Sequence, residues 1–481
     1  MNKFKFTTEW AIMLAAILIL GGILMLRPIV GLADNGDFAR IMWAGGIGYA
    51  DDESYQETYF GFAHTEYTYK KALWSGYVST QIIIVMIAGY LGRIINSSYF
   101  DIRVLSSMYS LLYAAALVTW MKYNKTRSLF LNAAIVVIMT IIFLDIGYIA
   151  YFNSFFGEAV TLIFILLTFG LALAVATSDI PTRKLLLLFF IACFCLICTK
   201  LQNAPIGLLL ILLAARFWSL RQDKPWRKMI IIGSSVLLIA TAVMYIAAPQ
   251  RLKHINLYQT VFYGILKDSP DPAGTLKELG LPESFKVLAG TNYFQTDTAI
   301  KQNDPILTEY FYSKLSHKDV LLYYMKHPDR FLQKLERGAE SGMSIRPYYL
   351  GSYDKDEGKP YGTIAYTFSL WSEFKHDYVP NKLWFVSLIY LIYYAGIAYE
   401  YTRRPTARQR ARIDIFACLG LIGLFGMAVP LLGDGEADLG KHLFLFNVCF
   451  DMMLAVGVVY LLAILKSRGL PLRTIGGRET P

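Results

Sequence analysis

The sequence predicts an all-α polytopic membrane protein of about ten transmembrane helices with a small, mostly helical extracytoplasmic domain, and three observations predict it. Hydrophobic residues make up 55% of the 481 and charged residues only 17%, with a mean hydropathy of +0.42, which is too apolar for a soluble chain of this length. Ten apolar runs reach the roughly 17 to 25 residues needed to cross a bilayer. One polar stretch, 249–381, is long enough to fold by itself.

The runs lie near 8–27, 102–121, 128–147, 158–177, 183–200, 203–219, 229–248, 382–401, 413–432 and 442–465. The first follows Lys3 and Lys5 and ends near "VGLA", as a secretory leader would. It is longer than a leader's apolar region, and Arg27-Pro28 interrupts the cleavage site, so it is read as a retained helix. The run "IIIVMIAGYLG" at 82–92 is about half a span long. Charge decides its placement. If it lies in the interface, the basic loops at 121–128, 177–184, 216–228 and 401–412 and the tail "KSRGLPLRTIGGR" all fall on one side with Lys3 and Lys5, as the positive-inside rule requires.

Residues 70–95 are therefore expected to form an interfacial or re-entrant helix, eleven spans being the alternative, and both termini are expected in the cytoplasm. The domain organisation follows: 1–248 is an N-terminal transmembrane module with a long first external loop at 28–101, 249–381 an extracytoplasmic domain, and 382–481 the C-terminal helices and cytoplasmic tail. The net charge of +10 resides mainly in the short loops and reads as topology, so no nucleic-acid partner is expected. Cys193, Cys195, Cys198, Cys418 and Cys449 lie in apolar runs with no zinc or redox spacing and imply no disulfide framework.

With this topology, polar residues gather at the external ends of spans. Asp34, Asn35, Asp37 and Arg40 stand in "GLADNGDFARIMWAGG". Asn153 and Glu158 follow in "YFNSFFGEA", Lys200, Gln202 and Asn203 in "CTKLQNAP", and Asp434, Glu436, Lys441 and His442 in "GDGEADLGKHLFLFN". Each has an ordinary explanation. Asp34 fits a solvated loop, Asp37 the start of the helical pattern "DFARIMWAGG", Glu158 a helix N-terminus, and Lys200 a snorkelling side chain. Lys200 nonetheless sits on the side that the positive-inside rule disfavours.

Taken together, an external carboxylate after the first span, an acidic motif in the next external loop, a lone external lysine and a late extracytoplasmic domain resemble the GT-C superfamily of integral membrane glycosyltransferases. The resemblance covers about residues 1–250 and 382–466. Within it "ADNGDFARI", "YFNSFFGEA", "KLQNA", "SIRPYYLGSY" and "DGEADLGKHLFLFN" are similar to motifs of the WsfD-like hexose transferases of bacterial surface-glycan synthesis. The first-loop acid lacks the "DE" pair of better-known members and has "NGDF" instead, which leaves Asp34 and Asp37 both open.

The resemblance implies a GT-C-like fold in a bacterial plasma membrane and an inverting transfer of a hexose from a polyprenyl-phosphate donor to a glycan or lipid-linked acceptor on the extracytoplasmic face. That chemistry needs a carboxylate to take the acceptor's proton and a cation for the departing lipid phosphate. Asp37 or Asp34 is expected to supply the base, Glu158 the second acid, and Lys200 the phosphate contact. Arg40, Asn153, Gln202, Asn203, Arg346, Lys441 and His442 are expected around the substrate. No cofactor is required, although Asp37 with Glu158 would offer oxygen ligands to a divalent cation, Mg2+ or Mn2+. Membrane lipids are the remaining expected partner. Two other classes stay open. A lipid-linked sugar flippase or transporter would carry charges at mid-bilayer depth, and a polysaccharide polymerase or ligase would take a glycan-linked lipid as donor.

Overall fold

The computed structural model describes residues 7–467. Lys3, Lys5 and the tail after Ser467 lie outside the described residues. The protein is an all-α polytopic membrane protein. Among the described residues seven helices are long and apolar enough to cross a bilayer, or eight if the bent pair Leu129–Phe143 and Ile146–Asn153 is one span: Thr8–Met25, Ile102–Tyr123, Glu158–Thr177, Lys224–Ile246, Leu383–Thr402, Ala407–Asp434 and Phe444–Ser467.

The other three predicted runs form shorter helices. Leu129–Phe143 has 15 residues and bends by 53° into Ile146–Asn153; Arg183–Ile197 also has 15, and Ile206–Arg216 has 11. At about 1.5 Å per residue, 15 residues reach about 22 Å, less than a bilayer core of about 30 Å. The apolar runs overestimate the helices because apolar residues continue past each break. After Phe143 the Asp145 carboxylate accepts from Gly147 N and starts a new turn. After Ile197 the chain opens into the extended Lys200.

Glu158–Thr177 is buried on nearly every face and packs against Ile102–Tyr123, Arg183–Ile197 and Ala407–Asp434. A helix apolar all round needs partners all round, and this one forms the centre of the bundle. The expected interfacial segment contains the helix Gln81–Ile95. Ile83, Ile87, Tyr90 and Ile94 are exposed along one side, while Val85, Ala88 and Gly92 are buried on the other. Gln81 pins its start by donating to the Phe155 and Phe156 carbonyls.

At one end of the bundle Lys125 pairs with Glu9 at 2.7 Å, Lys466 donates to Ser128 at 2.5 Å, and Arg408 meets Asp179 at 2.6 Å. The first and last described helices therefore share an end with the basic loops. The other end carries residues 28–101, residues 435–443 and the long segment 249–381.

In the first loop a three-stranded antiparallel sheet is ordered β1 (Ile47–Gly48), β2 (Glu66–Tyr69), β3 (Phe100–Asp101). Ile47 faces Tyr69 and Tyr67 faces Phe100 in register.

The segment 249–381, expected as one unit, divides in two. Tyr258, Phe262, Phe285, Phe311, Val320 and Tyr324 build a small core of their own. Met343, Ile345 and Leu350 instead join the main core with Leu32 and Phe38. The reason is backbone pairing across the chain: Gly31 N donates to Ser352 O and Ala33 N to Gly351 O. The "SIRPYYLGSY" stretch thus lies against the "GLADNGD" stretch.

Candidate functional site

The two first-loop acids have different environments. Asp34 is buried, and both its oxygens are in use: Oδ1 accepts from Gly36 N at 2.7 Å and Phe38 N at 3.1 Å, and Oδ2 accepts from the Tyr49 hydroxyl at 2.9 Å. Burial pushes its carboxyl up to about 6, against these hydrogen bonds. Gly36 takes a left-handed φ of 99° in this turn, which releases Asp37 on its far side.

Asp37 has a side chain 28% exposed and sits between two cations. Arg40 Nη1 lies 3.0 Å from Oδ1 and Lys441 Nζ 2.6 Å from Oδ2. Burial alone would raise its carboxyl, but Lys441 and then Arg40 outweigh this and hold it well below the usual range. The expected helix after it is short, Ala39–Met42 with one tighter turn to Gly45. A macrodipole of that length is weak, so the ion pairs, and not a helix start, fix Asp37.

Lys441 comes from the loop joining the last two long helices. It is 1% exposed, bonds Asp438 at 2.9 Å as well as Asp37, and lies 4.9 Å above the Phe156 ring. Burial would lower its ammonium, yet Asp37 and Asp438 hold it well above the ordinary value. The loop is seated by Gly435, at a φ of 63° and so close to the preceding segment that a Cβ would stand 2.6 Å from Gln259 O. Glu436 next to it pairs with Lys334 at 2.7 Å and Lys267 at 2.8 Å. His442 Nδ1 lies 3.2 Å from Asp434, and its carbonyl accepts from Gln202 Nε2 at 3.1 Å.

Lys200 Nζ is 2.5 Å from Glu158 Oε1, with side-chain exposures of 17% and 2%. The Glu158 Oε2 atom is buried without a hydrogen-bond partner among the described residues. Gly157 lets the Lys200 stem pass, since a Cβ there would come within 2.8 Å of Lys200 Cγ. Lys200 acts on the charge of Asp37, and Glu158 on that of Lys441, so the two ion pairs share one neighbourhood.

Asn153, Asn203 and Arg346 make their bonds elsewhere. Asn153 Nδ2 donates to the Leu24 and Val30 carbonyls and staples the loop's entry. Asn203 Nδ2 donates to the Thr161 hydroxyl. Arg346 donates to Ala365 O and pairs with Glu373 at 3.0 Å. All three are buried. Asp37 and Glu158 each pair with a basic side chain, Asp37 with Arg40 and Lys441 and Glu158 with Lys200. Among the described residues no group of three or more His, Cys, Asp or Glu is arranged to hold a metal.

Sequence reasoning missed Asp438 and Tyr349. Asp438, at a left-handed φ of 47°, accepts from Asn35 at 2.9 Å, Lys441 and the Tyr349 hydroxyl. The signal in the sequence was its three-residue spacing from Lys441. Also missed was Asp451, an acid inside the last span. Its Oδ1 lies 2.5 Å from Lys375 Nζ, and its Oδ2 accepts from Tyr148 at 2.6 Å and Trp371 at 2.7 Å. Both charges are fully enclosed, and the knot anchors the helix Leu370–Tyr378 to the bundle.

Residues 1–470 match the family described as the YfdI N-terminal transmembrane domain. The chain belongs to this family. No curated protein and no solved structure matches the chain. The family match takes in every residue of the cluster, from Asp34 to His442, together with the seven long apolar helices named above.

Proposed function

We propose that this protein is a membrane glycosyltransferase. It transfers a hexose from a polyprenyl-phosphate-linked donor to a surface-glycan or lipid-linked acceptor, on the extracytoplasmic face of a bacterial plasma membrane. The observation that carries the reading is a partly exposed carboxylate, Asp37, bracketed by Arg40 and Lys441 beside the Lys200–Glu158 pair. A glycosyl phosphate needs this combination of an acceptor for one proton and cations for a leaving anion.

In the proposed reaction the acceptor hydroxyl gives its proton to Asp37 as its oxygen bonds the anomeric carbon. The bond from that carbon to the phosphate oxygen breaks, and polyprenyl phosphate leaves with both electrons, stabilised by Lys200 and the neighbouring basic groups. Arg40 and Lys441 keep Asp37 ionised. When the donor phosphate draws them away, the carboxylate loses its partners and becomes a stronger base. Asp34 is buried and accepts from Gly36 N, Phe38 N and the Tyr49 hydroxyl, and its part is to hold the turn.

The test is transfer of radiolabelled hexose from a polyprenyl-phosphate donor by purified protein in bilayers. Wild type is expected to transfer and Asp37→Asn to bind donor without turnover. Absence of transfer by wild type with single-sugar donors, alongside transport of intact lipid-linked sugar, would replace this reading with the flippase.

A further inference from the structure

A second feature lies on the first loop, around the corner from Asp37. A cleft of about 620 Å3 opens between β1, β2 and the Ser54–Tyr59 turn, lined by Trp43, Tyr49, Tyr55 and Tyr59 together with Asp51 and Glu53. This volume is in the range of small-ligand clefts, roughly 300 to 1,000 Å3. Its wall is aromatic and continuous: the Tyr55 and Tyr59 rings are 4.9 Å apart and the Tyr59 and Tyr49 rings 6.1 Å. Tyr55 is 68% exposed and Trp43 44%, so both present ring surface to the cleft.

The rim is polar. Lys70 Nζ lies 2.6 Å from Asp51, Glu53 meets His64 at 3.1 Å, and Lys71 lines the same side. Two carboxylates and two ammonium groups cancel, so the cleft offers nothing to a polyanion. Flat aromatic faces flanked by both acceptors and donors suit a ring that is apolar on its C–H faces and hydroxylated at its edge.

The cleft shares its loop with the Asp37 cluster. Arg40 stands in the short helix Ala39–Met42 and Trp43 opens the tighter turn that continues it, three residues apart, a spacing that places them on neighbouring positions of one side, and Asp37 pairs with Arg40 at 3.0 Å. The back wall is tied to the same loop: Tyr49 donates to Asp34 Oδ2, and Phe60 N, next to Tyr59, donates to Asp34 O at 2.9 Å. A chain of sugar rings lying on the tyrosines would reach Trp43 at the edge of the cleft, three residues from Arg40.

We infer that this aromatic cleft is a binding subsite for a neutral oligosaccharide, the acceptor glycan, whose end it presents to Asp37. Binding itself is independent of the catalytic assignment; the role as acceptor seat rests on the glycosyl-transfer reading.

The experiment titrates wild-type protein in nanodiscs with the neutral oligosaccharides released by mild acid from the envelope of the source cell, followed by saturation-transfer NMR and by Trp43 fluorescence against Trp43→Phe. Saturable binding is expected for wild type, Asp37→Asn and Tyr55→Trp. Tyr55→Ala with Trp43→Ala should weaken it at least tenfold, and both side chains are exposed enough to be removed without unfolding the loop. Dextran sulfate of matching length should not compete. No saturable binding by wild type, or equal binding by the double variant, would overturn the subsite. Quenching of Trp43 by brominated acyl chains would assign the cleft to lipid and overturn it too. Binding without any sugar transfer by wild type would leave the subsite standing and remove the catalytic reading.

Discussion

Lys441 Nζ lies 2.6 Å from Asp37 Oδ2, although 404 positions separate them in the chain. The contact joins the first loop to the loop before the last helix, and it determines the state of the carboxylate. Asp37→Asn keeps an oxygen for Lys441 and should preserve folding and donor binding. Loss of a general base costs about a hundred- to ten-thousand-fold in rate, so turnover should fall by that much in a labelled-donor assay. Near-normal transfer by the variant would remove Asp37 from the mechanism.

Asp34 yields a pH prediction of definite sign. Its carboxyl moves from an ordinary 3.8 to about 6 in the fold, chiefly through burial. The folded state then binds this proton more tightly than the unfolded one. The stabilisation is complete below about pH 4 and is lost as the pH rises through 6, a change on the order of 3 kcal/mol. Unfolding followed in nanodiscs should show this slope for wild type, and Asp34→Asn should flatten it while retaining transfer. An unchanged slope in the variant would place the titrating group elsewhere.

Much of this cluster was legible because the residues lie where spans end. Asp37, Arg40, Glu158, Lys200, Gln202, Lys441 and His442 each stand beside an apolar run, and alternation of the spans brings those ends together. The lengths of the helices were less legible, since hydropathy does not register a break such as the one before Lys200. Nor does any periodicity announce that residues 351–353 return to pair with residues 30–33, which divides the segment 249–381. Arg346 makes its bonds to Ala365 and Glu373, which follow the returning stretch, a pairing that no spacing in the sequence announces. Asp451 was overlooked as a single acid in an apolar run, and its partner Lys375 lies in a different segment.

The topology predicted from loop charge is open to reporter fusions. Fusions after residues 125, 222 and 406 should report cytoplasm, and one near 300 should report the outside. The contacts of Glu9 with Lys125 and of Lys466 with Ser128 require residues 9 and 466 to share the side reported at 125. An external signal at 222 would overturn this orientation and the proposed extracytoplasmic site with it.

The Lys375–Asp451 knot gives a stability prediction. Removing one partner of a fully buried ion pair leaves the other charge uncompensated, at a cost of about 3 to 5 kcal/mol. Lys375→Met should therefore lower the melting temperature sharply, whereas Lys375→Met combined with Asp451→Asn should recover much of the loss, because the amide oxygen still accepts from Tyr148 or Trp371. Thermal unfolding in nanodiscs distinguishes the two. Equal melting of the single variant and wild type would mean that the pair is not enclosed in the membrane-embedded protein.

Lys200 needs a paired design for the same reason. A charge-assisted contact to the donor phosphate contributes about 1.5 to 3 kcal/mol, so its loss should weaken donor use by roughly ten- to a hundredfold. Lys200→Ala alone, however, strands Glu158, which is 2% exposed and has no other cation within bonding distance among the described residues, and the variant would confound binding with folding. Lys200→Ala with Glu158→Gln removes the stranded charge. In that background the protein should melt near wild type while the donor Kd rises by the stated factor. Glu158→Gln alone keeps the ammonium and, with Oε2 unbonded in the fold, should leave donor affinity nearly unchanged. If the double variant binds donor as wild type does, Lys200 serves only to neutralise Glu158, and the phosphate must be held by Arg40 or Lys441 instead.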